Sequence, residues 1–116
     1  MPRSEVISRY PDIYRLWETQ PERVQIPGAE TLQVVRGRLI RGLDATLGHN
    51  PDGTVALVSH GLTNKVLLCA VLGLDNSHFW KIKQDVCAVN VFQVEDKIAR
   101  AMLLNDTCHL ARLAIN

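Results

Sequence analysis

Between Glu30 and Leu47, Leu32, Val35, Leu39, Leu43 and Leu47 recur three and four positions apart with polar residues between them. That spacing puts them on one stripe and predicts a long amphipathic helix. Gly48-His49-Asn50-Pro51-Asp52-Gly53 then supplies dense turn chemistry and ends it. Next the period changes. Thr54 to Ser59 is a continuous apolar, partly β-branched run, which predicts a strand buried on both faces, central in its sheet and covered by helices on both sides. From Leu62 the helical spacing returns through Val66, Leu67, Ala70 and Val71, predicting a helix over 62–72 with Gly73 as its stop.

The flanks read in the same way. Ser4 to Tyr10 is predicted as a short helix capped by Ser4 and closed by Pro11, and Asp12 to Glu18 as a second one with Ile13, Leu16 and Trp17 inward. Thr19 to Ala29, with Pro21, Pro27 and Gly28, is predicted as a loop. Asp75 to Ile82 predicts a short helix capped by Asp75 or Asn76 and packed through Phe79 and Trp80. Cys87–Val94 and Ile98–Leu104 predict a hairpin around Glu95-Asp96-Lys97, with Asn105 to Leu110 as a polar exit turn. The fold class is α/β: helices around one central strand, plus a C-terminal β-hairpin. The chain is read as a single domain over 1–116, and a sheet of so few strands makes that domain look incomplete.

Composition narrows the setting. The net charge of +1 with no basic block gives no electrostatic footprint for nucleic acid. Arg36, Arg38 and Arg41 form only a local cluster, expected to be solvated or salt-bridged. No apolar run is long enough to cross a bilayer, and Met1-Pro2-Arg3-Ser4-Glu5 lacks a signal peptide's apolar core, so a cytoplasmic protein with no membrane partner is expected. Cys69, Cys87 and Cys108, an odd count without close pairing, are expected as buried free thiols.

The chemistry concentrates at Ser59-His60-Gly61, where the predicted strand runs into the predicted helix. Ligands of open α/β sheets bind at the carboxyl ends of strands, and helix N-termini favour anions. An imidazole there, followed by a glycine that lets a phosphate approach the backbone, points to phosphate handling. Alone, a Ser-His-Gly turn reads first as a strand-end histidine making only structural hydrogen bonds.

Four segments and one arginine taken together are more specific. Pro27-Gly28-Ala29-Glu30-Thr31-Leu32 with Arg38, Val58-Ser59-His60-Gly61, Gln84 to Val91, and Leu104 to Leu110 occur in an order and spacing that resembles the histidine phosphatase superfamily. These are phosphoglycerate mutase-like proteins of the fructose-bisphosphatase and α-ribazole phosphatase types. The resemblance covers essentially the whole chain and implies a partial phosphoglycerate mutase-like sandwich. It also implies hydrolysis or transfer of a phosphate monoester through phosphohistidine, with a phosphorylated small molecule as substrate and no cofactor. A neutral imidazole suits nucleophilic attack at pH 7, and charge spread over the transferring group needs fixed cationic donors.

By that resemblance His60 is the second histidine, a catalytic residue that binds and stabilises the phosphoryl oxygens, with Gly61 beside it in phosphate binding. Glu30, read in the first turn of the long helix, and Arg38 match a Gly-Glu-Ser…Arg pattern, though Ala29 and Thr31 stand where Gly and Ser are usual. With Asn105 in the exit turn they are candidate supporting residues; Asp106 and His109 share that turn, and His49 and His78 receive no role. The nucleophile of the family sits in an Arg-His-Gly motif, and no Arg-His pair occurs in these 116 residues. Met1 resembles an internal methionine, so the chain reads as a C-terminal portion, inactive as given for want of the nucleophile. A homodimer or swapped assembly across the gap left by a missing central strand is the expected partner arrangement. The alternative reading is a nucleophile-less phosphate-binding or regulatory module, and beyond it a structural domain in which His60 is incidental.

Overall fold

A computed structural model describes residues 2–111. Two short helices open the chain, α1 (Arg3–Arg9) and α2 (Pro11–Thr19). Pro2, not Ser4, precedes α1 as its cap, and Ser4 lies inside the helix. Pro11 does not merely end a turn: it is the first residue of α2, where its missing N–H costs nothing and its fixed φ suits the helix. A 3-10 turn at Pro21–Arg23 follows.

Helix α3 spans Leu32–His49 and is capped by Thr31, whose hydroxyl accepts the Val34 N–H at 3.3 Å. Glu30 therefore lies before the helix and not in its first turn. Helix α4 spans Gly61–Val71 and ends at Gly73, φ +73°. There the Leu74 N–H reaches the Cys69 carbonyl at 2.8 Å and the Gly73 N–H reaches Ala70 at 3.2 Å, a Schellman closure that needs the left-handed residue glycine provides.

The core lies between α3 and α4 and under the 3-10 segment Asn76–Lys81. Leu32, Val35, Val66 and Phe79 are its buried members, with Trp17 and Leu39 packed against them. Trp17, Phe79 and Trp80 form a triangle of rings with centroids 5.0–5.7 Å apart, and the Trp80 indole donates to the Trp17 carbonyl at 2.7 Å. Arg36 is not solvated as its cluster suggested: its guanidinium donates to the Leu74 carbonyl at 2.6 Å and to the buried Asn76 side chain at 3.2 Å, tying α3 to the turn after α4.

The antiparallel hairpin is β1 (Val89–Glu95) and β2 (Ile98–Asp106), joined through Asp96-Lys97. Both turn residues have positive φ, 51° and 63°, the signature of a type I′ hairpin turn. The register slips between Val89 and Phe92, and Asn90 uses the bulge to accept the Asn105 N–H at 2.9 Å. Among the described residues no hydrogen bond joins this hairpin to α1–α4.

The predicted central strand is the main correction. Thr54–Ser59 joins no sheet; every residue from Pro51 to His60 is exposed, and Val58 is 95 % exposed. The composition of the run is that of a buried strand, but a strand exists only through a ladder partner, and the described sheet holds β1 and β2 alone. Two of the cysteine expectations also fail. Cys69 is buried, whereas Cys87 and Cys108 are exposed because they sit in the turns that enter and leave the hairpin.

Candidate functional site

His60 is the residue immediately before α4, with extended backbone (φ −109°, ψ 163°). Its carbonyl accepts the first helical bond, from the Asn64 N–H at 2.8 Å. The N–H groups of Gly61 and Leu62 precede that bond and are left as outward-facing donors at the positive end of the helix dipole. A Cβ added to Gly61 would meet nothing, so the approach to this backbone is open.

Thr63 fixes the turn. Its hydroxyl accepts the His60 N–H at 3.3 Å and donates to the His60 carbonyl at 3.0 Å. With that proton committed, the 2.8 Å contact between Ser59 Oγ and Thr63 Oγ1 is donated by Ser59. Three consecutive backbone and side-chain groups around His60 are thus held by one hydroxyl. Thr63 was missed in the sequence reading; the signal is a Ser/Thr three residues into a helix whose N-cap backbone it reaches. His60 is exposed to solvent, and its side chain faces the Thr63 backbone in a capping-box arrangement at the start of α4.

Glu30 and Arg38 come together but not with His60. Their side chains form a hydrogen-bonded ion pair, about half exposed on both sides. The Arg38 hydrogen bond holds the Glu30 carboxyl below its ordinary range, and the same bond raises the guanidinium. Glu30 also lines an apolar groove of about 840 Å³ that runs between α1, α2, α3 and the start of α4, with Trp17, Leu32 and Leu62 in its walls. Leu62 puts His60's own helix at the rim of that groove.

Asn105 is placed elsewhere, at the open end of the hairpin, with φ +52°. It belongs to a network the sequence reading did not see. Asn105 Oδ1 accepts the Asp85 N–H at 2.8 Å, Asn105 Nδ2 donates to the Asp85 carboxylate at 3.0 Å, and Gln84 and Asn90 exchange amide hydrogen bonds at 2.7 and 2.9 Å. This network pins the Gln84–Asp85 loop to the strands and makes no hydrogen bond to His60 or Glu30. Of the four histidines, His78 meets Asp75 at 3.2 Å, and His49 and His109 lie at α3's end and in the 3-10 turn Cys108–Leu110. Among the described residues no three His, Cys, Asp or Glu side chains gather as metal ligands, and no helix is long and apolar enough to cross a membrane.

Comparison with known proteins gives this arrangement its context. The sequence profile of the histidine phosphatase superfamily (branch 1) matches residues 1–107. The chain belongs to this superfamily. It is 32 % identical over 111 residues to phosphoserine phosphatase 1 of Hydrogenobacter thermophilus, a match that covers 96 % of this chain and 53 % of that protein. It is 22 % identical over 109 residues to putative phosphoserine phosphatase 2 of the same organism, again covering 53 % of it. Among solved structures, Bacillus stearothermophilus YhfR superposes with a TM-score of 0.88 at 18 % identity, over 93 % of this chain and 54 % of that one. The α-ribazole phosphatase of Shigella flexneri gives 0.72 at 16 % identity, over 90 % and 52 %. The fold is therefore that of the phosphoglycerate mutase-like histidine phosphatases, and the chain spans about half the length of the relatives it matches. The α/β fold class read from the sequence stands, although its central strand is unpaired.

Proposed function

We propose that His60 and Gly61 are the phosphoryl-binding part of a histidine phosphatase site, and that this chain contributes that part without the attacking nucleophile. The parent reaction is hydrolysis or transfer of a phosphate monoester through phosphohistidine. The observation that carries the reading is the position of His60: a solvent-facing imidazole directly before the N-terminus of α4, within a match to the superfamily that spans residues 1–107. Three groups then converge on one anion. The imidazole and the Gly61 and Leu62 N–H groups are all donors to phosphoryl oxygens, and the helix dipole adds to them. Thr63 keeps His60's backbone from rotating away.

None of the four histidines follows an arginine, so none presents the Arg-His-Gly pattern of the attacking residue. His60 is accordingly assigned to stabilisation of the transferring group, and the chain alone is assigned no turnover. Glu30, Arg38 and Asn105 are supporting residues in this reading: Arg38 holds Glu30 at the groove, and Asn105 holds the Gln84–Asp85 loop. The substrate class is a phosphorylated small molecule, consistent with the phosphatases among its relatives.

The experiment is titration of the chain with inorganic phosphate while following the His60 imidazole resonances. Binding with a Kd on the order of millimolar, about 4 kcal/mol, is expected from one imidazole and a helix N-terminus. His60→Ala abolishes the binding, and the resonances of His49, His78 and His109 stay fixed. Unchanged affinity in His60→Ala refutes the assignment.

A further inference from the structure

The groove beside α4 has the size and lining of a small-molecule site. Its volume is about 840 Å³, within the range of about 300–1,000 Å³ typical of ligand pockets. Most of its wall is apolar, but three aromatic rings, Tyr14, Trp17 and Trp80, and three charged side chains, Arg3, Glu18 and Glu30, also line it. Aromatic faces carry negative charge at their centres and attract cations. Two of these rings already hold a cation of the chain: the Arg3 guanidinium lies 5.6 Å from the Tyr14 centroid, and Lys65 Nζ lies 4.5 Å from that of Trp80.

The carboxylates add charge of the same sign. Arg3 meets Glu18 only at 3.8 Å, and the Glu18 side chain is about half exposed. Glu30 is bonded through Oε2 to Arg38, which does not line the groove, and its Oε1 makes no hydrogen bond among the described residues. The charged side chains of the wall are therefore one cation and two anions. The ligand that complements them has an apolar body and a positive charge. The groove also lies where a phosphate ester would extend. Leu62 forms part of its wall, and Leu62 is the second residue of α4, one of the two whose N–H groups stand open beside His60. A phosphate held on those groups leads its alcohol into the groove.

With His60 as the phosphoryl-binding residue, on which this rests, we infer that the substrate is the phosphate monoester of an amino alcohol. Its phosphate sits on His60 and the Gly61 and Leu62 N–H groups. Its ammonium group enters the groove among Tyr14, Trp17 and Trp80, facing Glu18 and Glu30. The rings accept the alkyl surface of the cation and the carboxylates answer its charge, so a neutral alcohol of the same shape keeps only the apolar contacts.

The test compares phosphocholine with dimethylbutyl phosphate, in which a tert-butyl group replaces the trimethylammonium and the shape is kept. Each is titrated into the chain while the His60 imidazole resonances and the emission of Trp17 and Trp80 are followed. Phosphocholine is expected to bind about tenfold more tightly, the contribution of a partly desolvated cation–π contact with carboxylates nearby. Glu18→Gln and Glu30→Gln together bring the ratio of the two affinities close to one, and the ratio is insensitive to any change at the phosphate end. The comparison on the unsubstituted chain needs no variant. Equal or tighter binding of the neutral ester overturns the inference, and so does a ratio that survives the double substitution. Inorganic phosphate and free choline separate the two readings. If phosphate leaves the His60 resonances unmoved while choline perturbs the tryptophan emission, the phosphoryl site fails and the amino alcohol ester with it. If phosphate binds and choline leaves the emission unchanged, the phosphoryl site stands and the groove assignment is overturned.

Discussion

Two valines eight residues apart make opposite contributions to stability in this fold, although their sequence contexts are equally apolar. Val66 is fully buried against Leu32, Val35 and Phe79, and Val58 is 95 % exposed. Truncating Val66 to Ala removes two buried carbons and leaves a cavity that the α3–α4 contact closes only in part, a loss of about 2–3 kcal/mol. An ordinary domain of this length has about 6–17 kcal/mol in total, so the change is large. With a urea slope near 2 kcal/mol/M, the midpoint falls by about 1 M. Truncating Val58 removes nothing from contact and changes stability by less than about 0.5 kcal/mol. Trp17 and Trp80, inside the core triangle, report unfolding by fluorescence, so both variants are read in the same denaturation series. If Val58→Ala costs as much as Val66→Ala, Thr54–Ser59 is buried in solution and the exposed face described here does not exist.

Other outcomes follow from particular groups. Cys87 and Cys108 react at once with a thiol reagent in the native state, and Cys69, whose burial pushes its thiol up, reacts only on unfolding, giving two fast equivalents and one slow. Asp75 caps the 3-10 segment Asn76–Lys81, and hydrogen bonds from the Ser77 hydroxyl and N–H hold its carboxyl below the ordinary range. Its stabilisation is therefore present above the unfolded carboxylate pKa, about 3.9, and is lost as pH falls through the lower folded value. Asp75→Asn, which keeps a capping side chain, flattens the acid limb of stability against pH and leaves neutral stability nearly unchanged. Asn105→Ala and Asn105→Gly both release the Asp85 N–H to fast exchange, but only Ala suffers the left-handed backbone at φ +52°, a further cost of about 1–2 kcal/mol in the hairpin.

The helices were legible because each carries its own signal. The Leu32–Leu47 stripe, Gly73 and the Asp75 cap all act within a few residues of themselves, and the structure places them within two positions of expectation. Thr54–Ser59 was misread for the opposite reason. Apolar composition says that a segment is meant to be covered, and only a partner strand can make it one. The same distinction runs through the site. His60 is found from its local motif, whereas the Thr63 clamp, the Arg36 anchor on Leu74 and the Asn105–Asp85 network depend on neighbours up to 38 residues away or on the direction of a hydroxyl. Glu30 falls two positions short of its expected place in the helix because Thr31 is the better cap.

If His60 binds and stabilises the phosphoryl group, as proposed, it does not itself become phosphorylated. The most direct measurement is incubation with a phosphomonoester labelled in its phosphoryl group, followed by quenching in alkali and mapping of acid-labile phosphate on the peptide chain. The expected result is no label on His49, His60, His78 or His109. Stoichiometric acid-labile phosphate on His60 would make it the nucleophile and contradict the account.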